Sequence, residues 1–274
     1  MRLAAARNLG KAWLLVAILA AICGATGWAI GGYRTASLFV FCALLATAAV
    51  YAYADRALLG MLGAREFALA EDPRLRSTVD MLAAKLEILP PKLYLIVDGF
   101  PRAFVAGRGP RGSALAVSTG LLIALPPAEL EGVLAHELAH VRSRDVLVQT
   151  FATMLAVVLI ELSRIGGFLE RALLAVLGPT AAAFVHLLLS PKRELAADRV
   201  AAALCGSPHG LADALLRLDQ ASEFVSFEAN PATEPLYTTN PFAVEGLAAL
   251  FVTHPPLAER VARLRELEST SAAA

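Results

Sequence analysis

Hydrophobic positions are bunched along this chain rather than spread. Ala12 to Ile30 runs for nineteen residues without a charge, Gly31-Gly32-Tyr33-Arg34 breaks the run, and Thr35 to Ala54 supplies twenty more. Each run is long enough to cross the hydrocarbon core of a bilayer as a helix. A removed signal peptide is the weaker reading of the first, because a second span follows after one short turn. Arg2, Arg7 and Lys11 precede this hairpin, Arg56 and Arg65 follow it, and Arg34 alone lies between its arms. That bias puts the N-terminus and everything from residue 56 onward in the cytoplasm, with a small external turn. Two further apolar runs lie at Val146–Ile160 and Ala172–Ser190, the second containing Gly178-Pro179 and His186. They fit either a spanning pair or a hairpin buried in protein or dipping into one leaflet. His186 reads as a packed or interfacial polar residue.

Between and after these runs the pattern shortens. Within 66–89, Leu75, Val79, Met81-Leu82 and Leu86 recur at roughly helical spacing behind Glu71-Asp72-Pro73, and Pro90-Pro91 ends the run. Leu93–Val97, Ala103–Ala106 and Ala114–Ser118 have strand composition, separated by Asp98-Gly99 and the glycine-rich 107–112. Pro126-Pro127 opens another helix. Residues 191–218 read as helical with a break near Gly206-Ser207-Pro208, 221–242 as turn-rich, and 256–267 as an amphipathic closing helix. The expectation is an α+β chain, mostly helical with a small sheet. Residues 1–55 form the transmembrane hairpin (spans 12–30 and 35–54), and 56–274 form one domain interrupted by the apolar hairpin 146–190.

The helix predicted after Pro127 carries His136-Glu137-Leu138-Ala139-His140. On a helix the i,i+4 spacing brings both imidazoles to one face, with Glu137 beside them. Two neutral histidines in this arrangement hold Zn²⁺, and the glutamate acts as general base on a metal-polarised water, as in zincins. Five-residue patterns with three fixed positions also recur by chance, so a third ligand is required. Glu194 is the outstanding candidate. A glutamate behind Pro191 is also ordinary for a solvated first helical turn, but Asp198 lies one turn on, on the same face. It could accept the free ring N–H of a zinc-bound histidine.

Composition narrows the class. The chain is 57% hydrophobic and 18% charged with formal net charge zero, and it shows no basic stripe interleaved with aromatics. Nucleic acid is therefore not an expected partner. Cys23, Cys42 and Cys205 have no metal-ligand spacing and read as small apolar packers.

These features together resemble the HtpX-type proteases, the membrane-bound branch of the M48 family of zinc metallopeptidases. The resemblance is carried by Thr119-Gly120-Leu121-Leu122, by Glu129 to Val141 with Asp145 downstream, by Glu194 with Ala197-Asp198, and by Asn240-Pro241 and Thr253-His254-Pro255-Pro256 with Arg260. It implies a zincin-like fold with one Zn²⁺ per chain held by His136, His140 and Glu194. Glu137 would be the catalytic base and His254 a site residue that helps stabilise the oxyanion without ligating. Asp145 and Asp198 are expected in structural roles around the ligands, or simply capping a helix or pairing with Arg144 or Arg193. The strand beside the cleft usually reads Asn-Ala-Phe-Ala in that family; here it is Arg102-Ala103-Phe104-Val105, which adds charge and bulk near the expected substrate strand.

What the resemblance implies is a multi-pass enzyme of the bacterial inner membrane, in contact with membrane lipid and with its catalytic domain cytoplasmic. It would cleave damaged or misfolded membrane proteins; it implies no oligomeric state. A regulated signalling protease is the alternative, set back by the lack of an external sensing domain. A non-catalytic scaffold is set back by the complete His136, Glu137, His140 and Glu194 set.

Overall fold

In the computed structural model, residues 2–68, 71–165, 170–224, 233 and 248–271 are described. The first helical unit, α1 (Arg2–Met61), is two helices joined across non-helical backbone at Gly31 and Gly32. Gly32 has φ 70°, a left-handed conformation that a residue without Cβ adopts at little cost. The two arms fold back on one another. At Gly27 an added methyl would stand 2.7 Å from Ala36 Cα, so the hairpin closes only because no side chain is there. Trp13, Trp28, Tyr33 and Phe41 all point outward, each more than 60% exposed, as expected of a hairpin whose solvent is hydrocarbon.

Past α1 the chain builds a four-stranded sheet from β1 (Ala64–Glu66), β2 (Lys92–Ile96), β3 (Ala103–Gly107) and β4 (Ser113–Ser118). The order is β1-β2-β4-β3, with β2 and β4 parallel and the other pairs antiparallel. The three strands expected from composition are present within a residue or so at each end. The short β1 was not expected: 64–66 lacks alternating apolar positions and is held by register with Tyr94–Ile96. Helix α2 (Pro73–Lys85) begins where Asp72 accepts N–H bonds from Arg74 and Leu75, with proline in the first turn. Ser118 caps α3 (Thr119–Ala124) by accepting from the Leu121 N–H.

The remaining helices are α4 (Pro127–Ser143), α5 (Asp145–Ile165), α6 (Glu170–Leu188), α7 (Pro191–Cys205), α8 (His209–Phe224) and α9 (Leu257–Ser271). A core of Leu95, Val105, Leu115, Leu134, Leu138 and Leu215 joins the sheet to α4 and α8. A second core, including Ala152, Val157, Ala181, Val185 and Phe251, zips α5 to α6. A third seats Leu58 and Leu59 of α1 on Phe104 and Ala116 of the sheet. The result is a mostly helical fold with a small mixed sheet.

Among the described residues two helices, α1 and α6, are apolar over a membrane-crossing length, while the apolar part of α5 is shorter, Asp145–Val158. His186 is an anchoring polar residue: its Nε2–H donates to the Leu250 carbonyl at 2.8 Å, tying α6 to a 3-10 turn at Ala248–Phe251. Helix α7 ends at Gly206, in left-handed conformation with φ 72°, where the sequence placed the break. Asn240-Pro241 lies outside the described residues.

Candidate metal centre

Helix α4 carries His136 and His140 on the face turned to α7, and α7 presents Glu194 and Asp198 one turn apart. All four side chains are buried, as is Glu137. His136 Nε2 and His140 Nε2 are 3.3 Å apart. Glu194 Oε2 is 3.3 Å from the first and Glu194 Oε1 is 3.5 Å from the second. Three donors held this close without covalent reason converge on one point. A tetrahedral ion bonded at about 2.0–2.1 Å separates its ligands by about 3.3 Å, so the spacing fits Zn²⁺. The chemistry of the donors agrees: two imidazoles and one carboxylate suit Zn²⁺, and Glu194 Oε1 is buried without a hydrogen bond, its near neighbour being the Arg193 guanidinium.

Behind this cluster each ring is held by a carboxylate. His136 Nδ1 lies 2.8 Å from Asp198 Oδ1. His140 Nδ1 lies 3.4 Å from Asp145 Oδ2, which also accepts from Ser143 Oγ–H at 2.7 Å. Such partners fix the tautomer so that Nε2 carries its lone pair toward the cluster. Asp198 is itself gripped by Arg260, whose Nε and Nη2 donate to its two oxygens at 2.9 and 2.7 Å. Arg193 lies beside the third donor, with Nε 3.2 Å from Glu194 Oε1 and Nη1 donating to Gln149 Oε1 of α5 at 3.1 Å. His254 comes to 3.6 Å of Glu194 Oε2 from the far end of the chain.

The electrostatics favour a cation at this point. Burial opposes a charged imidazole at His140, but the Glu194 and Asp145 carboxylates outweigh it and lift the ring to about 10. Burial likewise works against the Glu194 carboxylate, yet His140, Arg193 and His254 hold it well below the usual range. Asp198 is pulled down to about 2 against its burial, chiefly by Arg260. The pocket is built around negative charge that must be matched.

Every residue of the expected ligand set is thus brought together, as are Asp145, Asp198 and His254. Asp198 stands behind a histidine ring as expected, and its arginine partner is Arg260, while Arg193 pairs with Glu194. Arg193 was expected only as a possible partner of the aspartates, and no local signal in the sequence marks Gln149. Arg260 carried a motif match but no role. Arg102 is buried and its guanidinium engages Asp98, so its charge is matched there instead of standing open in a groove. Ala103, Phe104 and Val105 are fully buried against α4 and α5.

The Arg260–Asp198 pair gives one stability prediction. Removing one partner of a buried ion pair leaves the other charged and unmatched. Arg260→Ala should lower unfolding stability by about 3 kcal/mol, measured by denaturant titration in micelles without zinc. Loss of under a tenth of that would mean water already satisfies Asp198.

Comparison with known proteins extends the picture. A model of peptidase family M48 matches residues 69–268. The chain is 40% identical over 275 residues to a Protease HtpX homolog of Pelotomaculum thermopropionicum, covering 94% of this chain and 98% of the relative. It is 42% identical over 277 residues to a Protease HtpX homolog of Acidiphilium cryptum, covering 95% and 96%. Among solved structures, S. mikatae Ste24p superposes with a TM-score of 0.52 at 19% identity, over 93% of this chain and 66% of that one, a likeness of fold.

Proposed function

Since the chain belongs to peptidase family M48, we propose that it hydrolyses peptide bonds in damaged or misfolded membrane proteins at the cytoplasmic face of the bacterial inner membrane. Its class is that of a zinc metalloendopeptidase and it is a metal-dependent membrane protease. The chain divides into the membrane hairpin 1–55 and the zincin-like domain 56–274. The observation that carries the proposal is the buried His136–His140–Glu194 cluster, whose donors lie on either side of the apolar pair α5–α6 in sequence. Both ends of that pair must therefore return to the same face of the bilayer, which keeps the cleft beside it.

His136, His140 and Glu194 would hold the ion. When bound, zinc supplies Lewis acidity toward the scissile carbonyl and lowers the pKa of an attacking water. Glu137, adjacent to His136, takes the water's proton and returns it to the leaving amine. His254, beside Glu194, donates to the developing oxyanion. Asp198 and Asp145 keep the two rings aimed, and Arg260 keeps Asp198 in place. We assign substrate alignment to 102–105; since 103–105 are buried, an extended substrate must displace what covers them to pair with β3.

The function is tested by reconstituting the full chain in vesicles with one membrane protein in native and in destabilised form. The destabilised form should be cut and the native form spared. Equal cleavage of both would remove the quality-control reading. Topology is tested separately, in a background with Cys23, Cys42 and Cys205 replaced, by Tyr33→Cys, Arg108→Cys, Gly167→Cys and Asn230→Cys and an impermeant thiol reagent on oriented vesicles. Position 33 should label from outside, and 108 and 230 from the cytoplasmic side. Position 167 labels from outside if α5 and α6 span, and from the cytoplasmic side or not at all if they do not. Positions 108 and 230 on opposite faces would break the site, since one ion cannot be ligated from both sides of a bilayer.

A further inference from the structure

The turn between β3 and β4 carries basic charge to the end of the membrane hairpin. Arg108 lies with its guanidinium carbon 5.8 Å from the centre of the Tyr51 ring. Tyr51 stands near the end of the apolar run of α1, four residues before Asp55, and is itself 52% exposed. Arg111 is in the same turn, closed by the Arg108 N–H bond to the Gly112 carbonyl at 2.8 Å. Arg144, the left-handed residue ending α4, packs over that turn, with its Cγ 3.5 Å from where a side chain on Gly109 would begin. All three arginines are exposed, and among the described residues none is held in an ion pair. Beneath Arg108 a narrow crevice runs between α1 and α5, walled by Val50, Tyr51, Leu147 and Phe151, with Asp55 as its acid.

We propose that this corner is a binding site for a phospholipid with an anionic headgroup. Tyrosine at the end of a spanning helix marks the headgroup level, so the guanidinium on its ring lies where lipid phosphates lie. Arg108, Arg111 and Arg144 outnumber Asp55, and their forked donors suit phosphate oxygens. The exposed apolar face of α1 beside Tyr51 gives the acyl chains a surface, which a soluble anion would not use. The lipid would bridge the hairpin to the turn that follows β3 and the end of α4, the helix of the two histidines. The proposal rests on α1 crossing the bilayer, which thiol labelling at position 33 reads independently.

The test is native mass spectrometry of the full chain in detergent micelles, titrated with phosphatidylglycerol or phosphatidylcholine. The wild-type chain should retain phosphatidylglycerol in preference, and the preference should fall as salt rises. The variant Arg108→Gln/Arg111→Gln/Arg144→Gln should bind it at least about tenfold more weakly. Arg108→Lys/Arg111→Lys/Arg144→Lys should keep most of the binding, which separates lost charge from lost fold. Equal retention of the two lipids by wild type, or equal phosphatidylglycerol binding by wild type and the glutamine variant, would overturn the site. So would displacement of the lipid by millimolar inorganic phosphate, which would make it a site for a soluble anion.

Discussion

Glu137→Gln should keep its zinc and lose peptide hydrolysis. The substitution preserves the shape of the side chain, and Glu137 is not one of the three convergent donors. The amide cannot take a proton from water, so the loss falls on the transition state. General-base contributions of this kind amount to about 10²–10⁴-fold, and kcat should fall by that much with metal content unchanged. The readout is turnover of an unfolded substrate beside zinc content measured on the same preparation. Wild-type turnover by the metal-loaded variant would assign the base to another residue.

Glu194→Ala should act on the metal itself. It removes one of three buried donors, and it also leaves Arg193 beside an empty space where its carboxylate partner was. Zinc affinity should fall well beyond the roughly 10–100-fold expected for Asp198→Ala, which disturbs only the partner of a ligand. Titration with zinc against a competing chelator, at limiting metal, measures both. Full occupancy of Glu194→Ala under conditions that saturate wild type would show that α7 does not supply the third ligand. The contrast between the two variants is informative because both residues are buried on the same helix, one turn apart.

Local order in the sequence made much of this legible. The histidine pair could be read because a helix converts a spacing of four into a shared face, and Pro127 announced that helix. Glu194 could be read because Asp198 follows it by the same rule. Strand positions were within reach because 93–97 is rich in Leu, Ile and Val and 114–118 alternates alanine with Leu115 and Val117. What escaped was set by partners distant in sequence. The strand Ala64–Glu66 exists through antiparallel pairing with Tyr94–Ile96, well beyond any local pattern. Arg260 reaches Asp198 across 62 residues, and Arg193 reaches Gln149 across 44. No periodicity encodes such meetings, since they depend on how α7, α9 and α5 pack. The charge at Arg102 was legible as a residue but not as a matched one, because only the folded turn brings Asp98 to it.

The order of the donors along the chain has a consequence for synthesis. His136, Glu137 and His140 emerge first, then the α5–α6 pair, and only then Glu194 and Asp198. A growing chain thus holds the two histidines and the proposed base well before it holds the third donor, and the His136–His140–Glu194 cluster cannot close until the apolar pair has been made and has turned back. Joining two points across such a loop costs entropy that rises only slowly with its length, so the long detour adds little penalty to the finished site. What it adds is a sequence in time. The nascent protein cannot cut its neighbours at the membrane until its own apolar segments have been made.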